Sequence, residues 1–170
     1  MSAASPFWRF SLSLYGRPGV GSACVALQDA HGLDVNVLLF SLWLASQGRL
    51  LSAGDVAAAD GAVGVWRQQA VVPLRAVRRF LKEPPEALDA AAVAALRDRV
   101  KAVELESERL QQEALHALRP VGDWGAGGAS EACAPHNMDA CAAAFGAVFD
   151  PELRAAILTA FHGLSNVRTT

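Results

Sequence analysis

The sequence predicts an all-α protein, folded as a single helical domain of about six or seven helices. Apolar residues recur at intervals of three and four along most of the chain, which is the spacing of one helix face. Alanine is abundant and favours helices, whereas strand-building β-branched residues are few apart from scattered valines. Residues 33–47 are apolar in nearly every direction around a helix, as in a helix buried on all sides. We therefore place this segment at the centre of the domain.

Length and composition fit a folded domain rather than a disordered or membrane chain. The 170 residues are 52% hydrophobic and 19% charged, which is enough apolar surface for one core. A formal charge of −2 gives no general attraction to nucleic acid or anionic lipid. The longest apolar run falls short of the roughly 20 residues of a membrane-spanning helix, and residues 1–15 lack the pattern of a signal peptide. Three cysteines favour reduced thiols, so we expect a cytoplasmic location.

The first helices are marked by residues that begin or end helices. Ser5 and Pro6 form a good start, because serine caps free N–H groups and proline has none to leave unpaired. Pro18 opens a second helix, which Gly32 ends. Asp34 stands just before the central helix, where its carboxylate can cap N–H groups at the positive end of the helix dipole.

Two further helices follow the central one. Ser52 and Asp55 have the spacing of a capping box and begin the next helix. Pro73 is expected to break or kink that helix, and a basic helix then runs to Lys82. Residues 86–118 predict a long amphipathic helix whose seam packs against the domain or forms one arm of a helical hairpin. The seam residues are Val93, Leu96, Val100, Val103, Ser107, Leu110, Ala114 and Ala117.

The last third of the chain contains a glycine-rich stretch. Its glycines predict a loop or linker over residues 119–137, after a helical core over residues 1–118. Residues 138–170 are expected to form C-terminal helices that pack on the core or stay partly mobile. The glycines concerned are Gly122, Gly125, Gly127 and Gly128.

The first candidate site is a basic stripe on the helix after Pro73. Its cations fall at i, i+3, i+4 and i+7 and therefore on one helix face, namely Arg75, Arg78, Arg79 and Lys82. Guanidinium groups bind carboxylate and phosphate well, so the functional interpretation of the stripe is a binding site for an acidic protein surface, an anionic ligand or RNA. The alternative is a solvated face whose arginines pair with carboxylates of the long helix.

The second candidate is a polar set beside the most apolar part of the chain, namely Gln28, Asp29, Asp34 and Asn36. Buried polar groups need partners, and an arginine of the stripe is the natural partner for Asp34. The functional interpretation is a pocket between the central and arginine helices, with Asp34, Asn36 and Arg75 as polar anchors. The structural interpretation is that Asp34 caps the helix and Asn36 bonds to a backbone group.

A third candidate is a metal site near Cys133, His136 and Cys141, with His116 and His162 as further ligands. Zinc prefers four such ligands, but the spacing lacks a close Cys-x-x-Cys pair. Unligated residues are therefore the favoured interpretation, and we predict no metal or cofactor. No catalytic triad, phosphate loop or dinucleotide motif is present in the sequence, so we predict no catalytic residue.

Three tryptophans lie on apolar helix faces, namely Trp8, Trp43 and Trp66. Packing in the core is their expected role, with a ligand pocket as the alternative.

Several segments resemble, in the same order, a bacterial family of small cytoplasmic proteins of unknown function. The resemblance spans roughly residues 7–82 and excludes the glycine-rich stretch. It implies an all-helical protein and supplies no activity, cofactor or catalytic residue. The residues that carry it are Phe7-Trp8, Leu14-Tyr15, Leu27-Gln28-Asp29, Gly32, Asp34 to Phe40, Trp43-Leu44, Trp66, Val72 to Arg75 and Arg78-Arg79.

Together these observations favour a non-enzymatic intracellular interaction protein whose basic helical face binds an acidic protein partner. The alternative is a helical protein or enzyme that binds a small molecule or an anion in the pocket beside Asp34, Asn36 and Arg75. Metal binding near Cys133 is a weaker alternative. Pairing of two copies through the long helix also stays open, whereas nucleic acid and membranes are not favoured as partners.

Overall fold

A computed structural model describes residues 4–165 and confirms the all-α prediction. Its helices are α1 (Pro6–Tyr15), α2 (Val20–His31), α3 (Val35–Ser46), α4 (Ala53–Trp66), α5 (Val72–Phe80), α6 (Ala90–Ala117), α7 (Ser130–Ala144) and α8 (Pro151–Ser165). One short antiparallel pairing joins β1 (Arg49–Leu50) to β2 (Ala126–Gly127). The outer ends of the predicted ranges 1–118 and 138–170, at residues 1–3 and 166–170, lie outside the described residues.

The central helix α3 has the position that the sequence predicted. Ten of its 12 residues are buried. It packs against α1, α2, α4, α6 and α7, so most of the domain is assembled on its surface. The helix begins two residues inside the predicted range 33–47, because Asp34 has extended backbone geometry and acts as its N-cap.

Pro73 does not end the helix that precedes it. A π-helical turn, Arg67–Val71, joins α4 to α5 without a gap, and the Val72 N–H donates to the Arg67 carbonyl. Pro73 therefore falls in the first turn of α5, where its missing N–H is tolerated. The predicted break is not seen. If α4 and α5 are counted as one continuous helix, the described residues form seven helices.

The long helix α6 is present, but only part of the predicted seam is buried, including Val93 and Ser107. Leu96, Val103 and Leu110 are 40%, 54% and 44% exposed. The helix begins later than predicted, where the Asp89 carboxylate caps the Ala92 N–H. The buried face is largely polar, because the helices it meets present polar groups. Its residues are Val93, Glu104, Ser107, Gln111, Gln112 and Leu115.

Regular structure occupies much of the predicted linker at residues 119–137. It contains β2 and the first half of α7, a longer helix than the one predicted from residue 138. The Arg49 guanidinium donates to three backbone carbonyls of this stretch at 2.6–2.8 Å, those of Gly122, Trp124 and Gly125. Trp124 is 1% exposed. The order of this stretch therefore depends on a side chain more than 70 residues away in sequence.

Asn137 attaches α7 to the centre of the domain. Its side chain is fully buried, donates to the carbonyls of Ser41 and Arg49, and accepts from the Leu51 N–H. Buried amides of this kind need all their partners, so this residue fixes where α7 lies against α3 and β1. No helix in residues 4–165 combines the length and apolar character needed to cross a bilayer.

Replacing Gly125 by alanine should destabilise the fold. Gly125 has a φ of +49°, and an added Cβ would overlap the Leu50 carbonyl oxygen. We expect Gly125→Ala to lower the free energy of unfolding by about 1–3 kcal/mol from backbone strain alone, measured by denaturant titration. Gly122→Ala is the control, because nothing lies within 4 Å of its added Cβ. Equal stability of the two variants would contradict this description of β1 and β2.

Candidate ligand-binding site

The basic stripe of α5 is largely paired with α6. Arg75 donates from Nε to Glu104 at 3.2 Å and from Nη2 to Glu108 at 2.7 Å, and Arg78 also bonds to Glu104. Arg79 lies 3.7 Å from Asp29, with both side chains more than half exposed. Lys82 is exposed and takes part in no salt bridge within residues 4–165. Arg75 and Arg78 are therefore paired with carboxylates of the long helix, which was the alternative interpretation of the stripe.

Asp34 caps α3 as predicted, but its arginine partner is not in the stripe. Its Oδ1 accepts from the Asn36 N–H at 2.8 Å, and its Oδ2 accepts from Arg67 Nη1 at 3.0 Å. Gln111 Nε2 also donates to Oδ2. Arg67 belongs to the π-helical turn and pairs with Asp60 as well. These bonds satisfy the buried carboxylate, and Asp34 does not line the cavity described next.

A cavity of about 360 Å³ lies among α1, α2, α3, α5 and α6. This volume is near the lower end of small-molecule sites. Apolar side chains form much of its wall, namely Trp8, Leu12, Val25, Val35, Leu39 and Leu105. Of the three predicted anchors, Asn36 and Arg75 line it together. Gln28 lines it too and accepts from Arg75 Nη1 at 2.9 Å.

The cavity is also lined by Ser11, Asn36 and Gln112, and the end formed by Asn36 and Gln112 is here called the amide end. These three residues are 3%, 6% and 3% exposed. Gln112 Nε2 donates to Asn36 Oδ1 at 2.7 Å. Ser11 Oγ and Gln112 Oε1 have no hydrogen-bond partner among the described residues. A buried polar atom without a partner costs about 1–3 kcal/mol, so the amide end is suited to a polar group of a ligand.

The other end, here called the arginine end, is formed by Arg75, Arg78 and Lys101. Lys101, Glu104, Glu108 and Gln112 follow one another along the cavity side of α6. At 1.5 Å per residue, the backbone positions of Lys101 and Gln112 are about 16 Å apart. The cavity therefore has a charged end and a neutral polar end, with apolar walls beside them.

The two carboxylates of the cavity have opposite pKa shifts. Burial would raise the pKa of Glu104, but hydrogen bonds from Arg78 and Arg75 hold it below its usual value. Burial raises the pKa of Glu108 despite its bond to Arg75, and the charges of Glu104 and Asp34 add to the rise. Burial also raises the pKa of the neighbouring Tyr15. Glu108 is therefore the carboxylate of this pair that protonates first as the pH falls.

The predicted metal-site residues are engaged in the core. Cys133 and Cys141 are buried, and burial raises the pKa of the Cys141 thiol to about 12. His136 Nε2 donates to the Leu51 carbonyl at 2.9 Å. Within residues 4–165 no group of three or more His, Cys, Asp or Glu is arranged to hold a metal ion. The other two histidines of this candidate metal site pack on aromatic rings, His116 on Trp43 and His162 on Phe161.

The three tryptophans have three different environments. Trp43 is buried beside Phe7 and Phe40, as predicted. Trp8 is partly buried and lines the cavity. Trp66 is 42% exposed, and its indole N–H donates to the Ser107 carbonyl. The prediction that Trp66 packs in the core is therefore wrong.

The fold and the cavity together define an all-helical protein with a partly open site of mixed polarity. A family model described as a protein of unknown function, DUF2390, matches residues 6–115, so the chain belongs to that family. Comparison with curated proteins and with solved structures found no match for this chain. The family supplies no function, and several residues that carried the resemblance, such as Gln28, Asn36 and Arg75, line the cavity.

The opposite shifts of Glu104 and Glu108 predict opposite effects of removing their charges. Because the fold lowers the pKa of Glu104, its charge stabilises the protein above the unfolded pKa, and this stability is lost as the pH falls through the folded value. The fold raises the pKa of Glu108, so the stability from its neutral form is lost as the pH rises through the folded value. At neutral pH we expect Glu104→Gln to lower the melting temperature and Glu108→Gln to leave it equal or higher.

Thermal unfolding from acid to neutral pH measures both effects, and the two variants are controls for each other because they lie one turn apart on α6. The difference between wild type and Glu104→Gln should shrink in acid. A lower melting temperature for Glu108→Gln than for Glu104→Gln at neutral pH would contradict the assignment.

Proposed function

We propose that this protein binds one small amphipathic molecule in the cavity between α1 and α6. The observation that carries the proposal is that two polar atoms of the cavity lining, Ser11 Oγ and Gln112 Oε1, have no hydrogen-bond partner within residues 4–165. Both side chains are 3% exposed, so bulk water does not readily replace a missing partner. A bound molecule removes the cost of leaving these atoms unpaired if the Ser11 and Gln112 side chains rotate toward it and form the missing hydrogen bonds.

The chemistry of the lining limits the ligand. Gln112 Oε1 only accepts, so the ligand must present an N–H or O–H group there, whereas the Ser11 hydroxyl donates or accepts. The indole of Trp8 and the side chains of Leu12 and Leu39 require an apolar body beside that group. A ligand with a donor at one end of an apolar body satisfies both requirements.

Binding is favoured over catalysis by the state of the titratable groups. Among the described residues, those that line the cavity include no histidine or cysteine, and both carboxylates bond to arginine. No lining nucleophile is paired with a general base in the way that covalent catalysis requires.

Filling the cavity should abolish binding of a neutral probe. Phenylnaphthylamine has an N–H donor and two aromatic groups, and it fluoresces in apolar surroundings. We expect saturable binding at one site per chain, and at least about tenfold weaker binding to Leu105→Trp, because residue 105 lines the cavity.

Leu110→Trp is the matched control for the cavity variant. Leu110 lies on the same helix with similar exposure, 44% against 50% for Leu105, but does not line the cavity. Equal binding of the probe by the two variants, or no saturable binding by wild type, would contradict the proposal.

Docking of an acidic protein partner is a second candidate function. Arg79 and Lys82 favour it, because both are exposed and only Arg79 has a salt bridge, a loose one with Asp29. Combined Arg79→Glu and Lys82→Glu should abolish capture of an acidic partner in a pull-down, whereas Arg99→Glu, an exposed charge reversal on α6, should not. Undiminished capture by the double variant would remove this candidate.

A further inference from the structure

We infer that the ligand of the cavity is a small organic anion, whose donor group lies at the amide end and whose anionic oxygens lie at the arginine end. This inference rests on the proposed function and adds the chemical class of the ligand. It follows from the balance of charges that line the cavity, from the free N–H groups of Arg75 and from the order of residues along α6.

The cavity lining has an excess of positive charge. Its four cations are Arg75, Arg78, Arg79 and Lys101, and its two carboxylates are Glu104 and Glu108. The carboxylates pair with Arg75 and Arg78. Lys101 takes part in no salt bridge among the described residues, and Arg79 has only the exposed 3.7 Å pair with Asp29. The electrostatic field of the lining therefore favours an anion over a neutral or cationic ligand.

Arg75 is the group best placed to bind the anion. Its guanidinium uses three of five N–H groups, one each for Glu104, Gln28 and Glu108. The remaining N–H groups are on the terminal nitrogens of a side chain that lines the cavity and is 21% exposed. Charge-assisted bonds to a carboxylate, sulfonate or phosphate are stronger than bonds between neutral groups. A cation would meet only carboxylates that are already bonded to arginine.

The two ends of the cavity require two groups on the same ligand. Glu108 and Gln112 are one turn apart on α6, so Arg75, which bonds to Glu108, is separated from the amide end by about one helical turn. Leu105 and Leu39 line the space with apolar surface. A molecule with an N–H or O–H group, an apolar body and an acidic group fits this order.

Protonation of Glu108 should strengthen anion binding. Glu108 is faced by Arg75 and Arg78 from α5, by Glu104 on α6, by Asp34 before α3 and by Tyr15 from α1. When Glu108 becomes neutral, the cavity loses one of its two negative charges and Arg75 loses a competing anion. Affinity for an anion therefore rises as the pH falls through the pKa of Glu108, which lies above that of an ordinary glutamate.

The test compares two fluorescent probes that differ in one charged group. The anionic probe is the 2,6-isomer of anilinonaphthalene sulfonate, which is phenylnaphthylamine with an added sulfonate on the far side of the naphthalene ring from the N–H, and this sulfonate stays ionised throughout the accessible pH range. We expect the anionic probe to bind wild type at least about tenfold more tightly at low ionic strength, with the advantage reduced by salt. We also expect its affinity to rise from neutral to mildly acidic pH in wild type and to stay constant in Glu108→Gln.

Lys101→Met supplies the variant test, because Lys101 has no internal salt bridge to lose in residues 4–165. It should weaken binding of the anionic probe at least about threefold, and by a larger factor than it changes binding of the neutral probe. Lys82→Met is the control, since it removes the same charge from a residue outside the cavity lining and should change neither affinity.

The outcomes separate this inference from the proposed function. If the neutral probe binds as tightly as the anionic one, or Lys101→Met and Lys82→Met have the same effect, the anion inference fails while the cavity remains a binding site. If neither probe binds at one saturable site, both fail. The inference is supported if the anionic probe binds more tightly than the neutral probe and if Lys101→Met, but not Lys82→Met, reduces this advantage.

Discussion

The buried carboxylate of Asp34 is the constraint on which the rest of the structure depends. A charged group at this depth is stable only with several donors, and it receives them from the α3 backbone, Arg67 and Gln111. These donors come from three separate elements. Their bonds therefore fix the start of α3, the π-helical turn and the rotation of α6 at the same time.

The polar face of α6 and the π-helical turn both follow from this constraint. In a regular α-helix, Arg67 and Arg75 would point about 80° apart, since each residue turns the chain by about 100°. The wider turn at Arg67–Val71 rotates less per residue and brings the two arginines closer to one face, where Arg67 meets Asp34 and Arg75 meets α6. With Gln111 held by Asp34, its neighbour Gln112 lies at the cavity and bonds to Asn36.

The site could be predicted only in part. Arg75 and Asn36 line one cavity, and both are candidates from the sequence because a basic helix face and a polar residue in an apolar helix are visible there. Asp34 was assigned to the wrong arginine, since the insertion of a π-helical turn leaves no local signal that distinguishes Arg67 from the stripe. Ser11 and Gln112 were missed. The sequence signal for Gln112 was the Gln111-Gln112 pair in a helix whose other residues are mostly charged or apolar.

The sequence by itself determined the starts of α1, α3 and α4 and the central position of α3. Caps at Ser5, Asp34 and Ser52 act within three residues, and a helix that is apolar all round has no stable position except the interior. Tertiary structure alone decided which face of α6 is buried, how Pro73 is tolerated and why the glycine-rich stretch is ordered. The physical reason is that hydrogen bonds from residues distant in sequence, such as Arg49, outweigh local preference, and a local pattern contains no information about such partners.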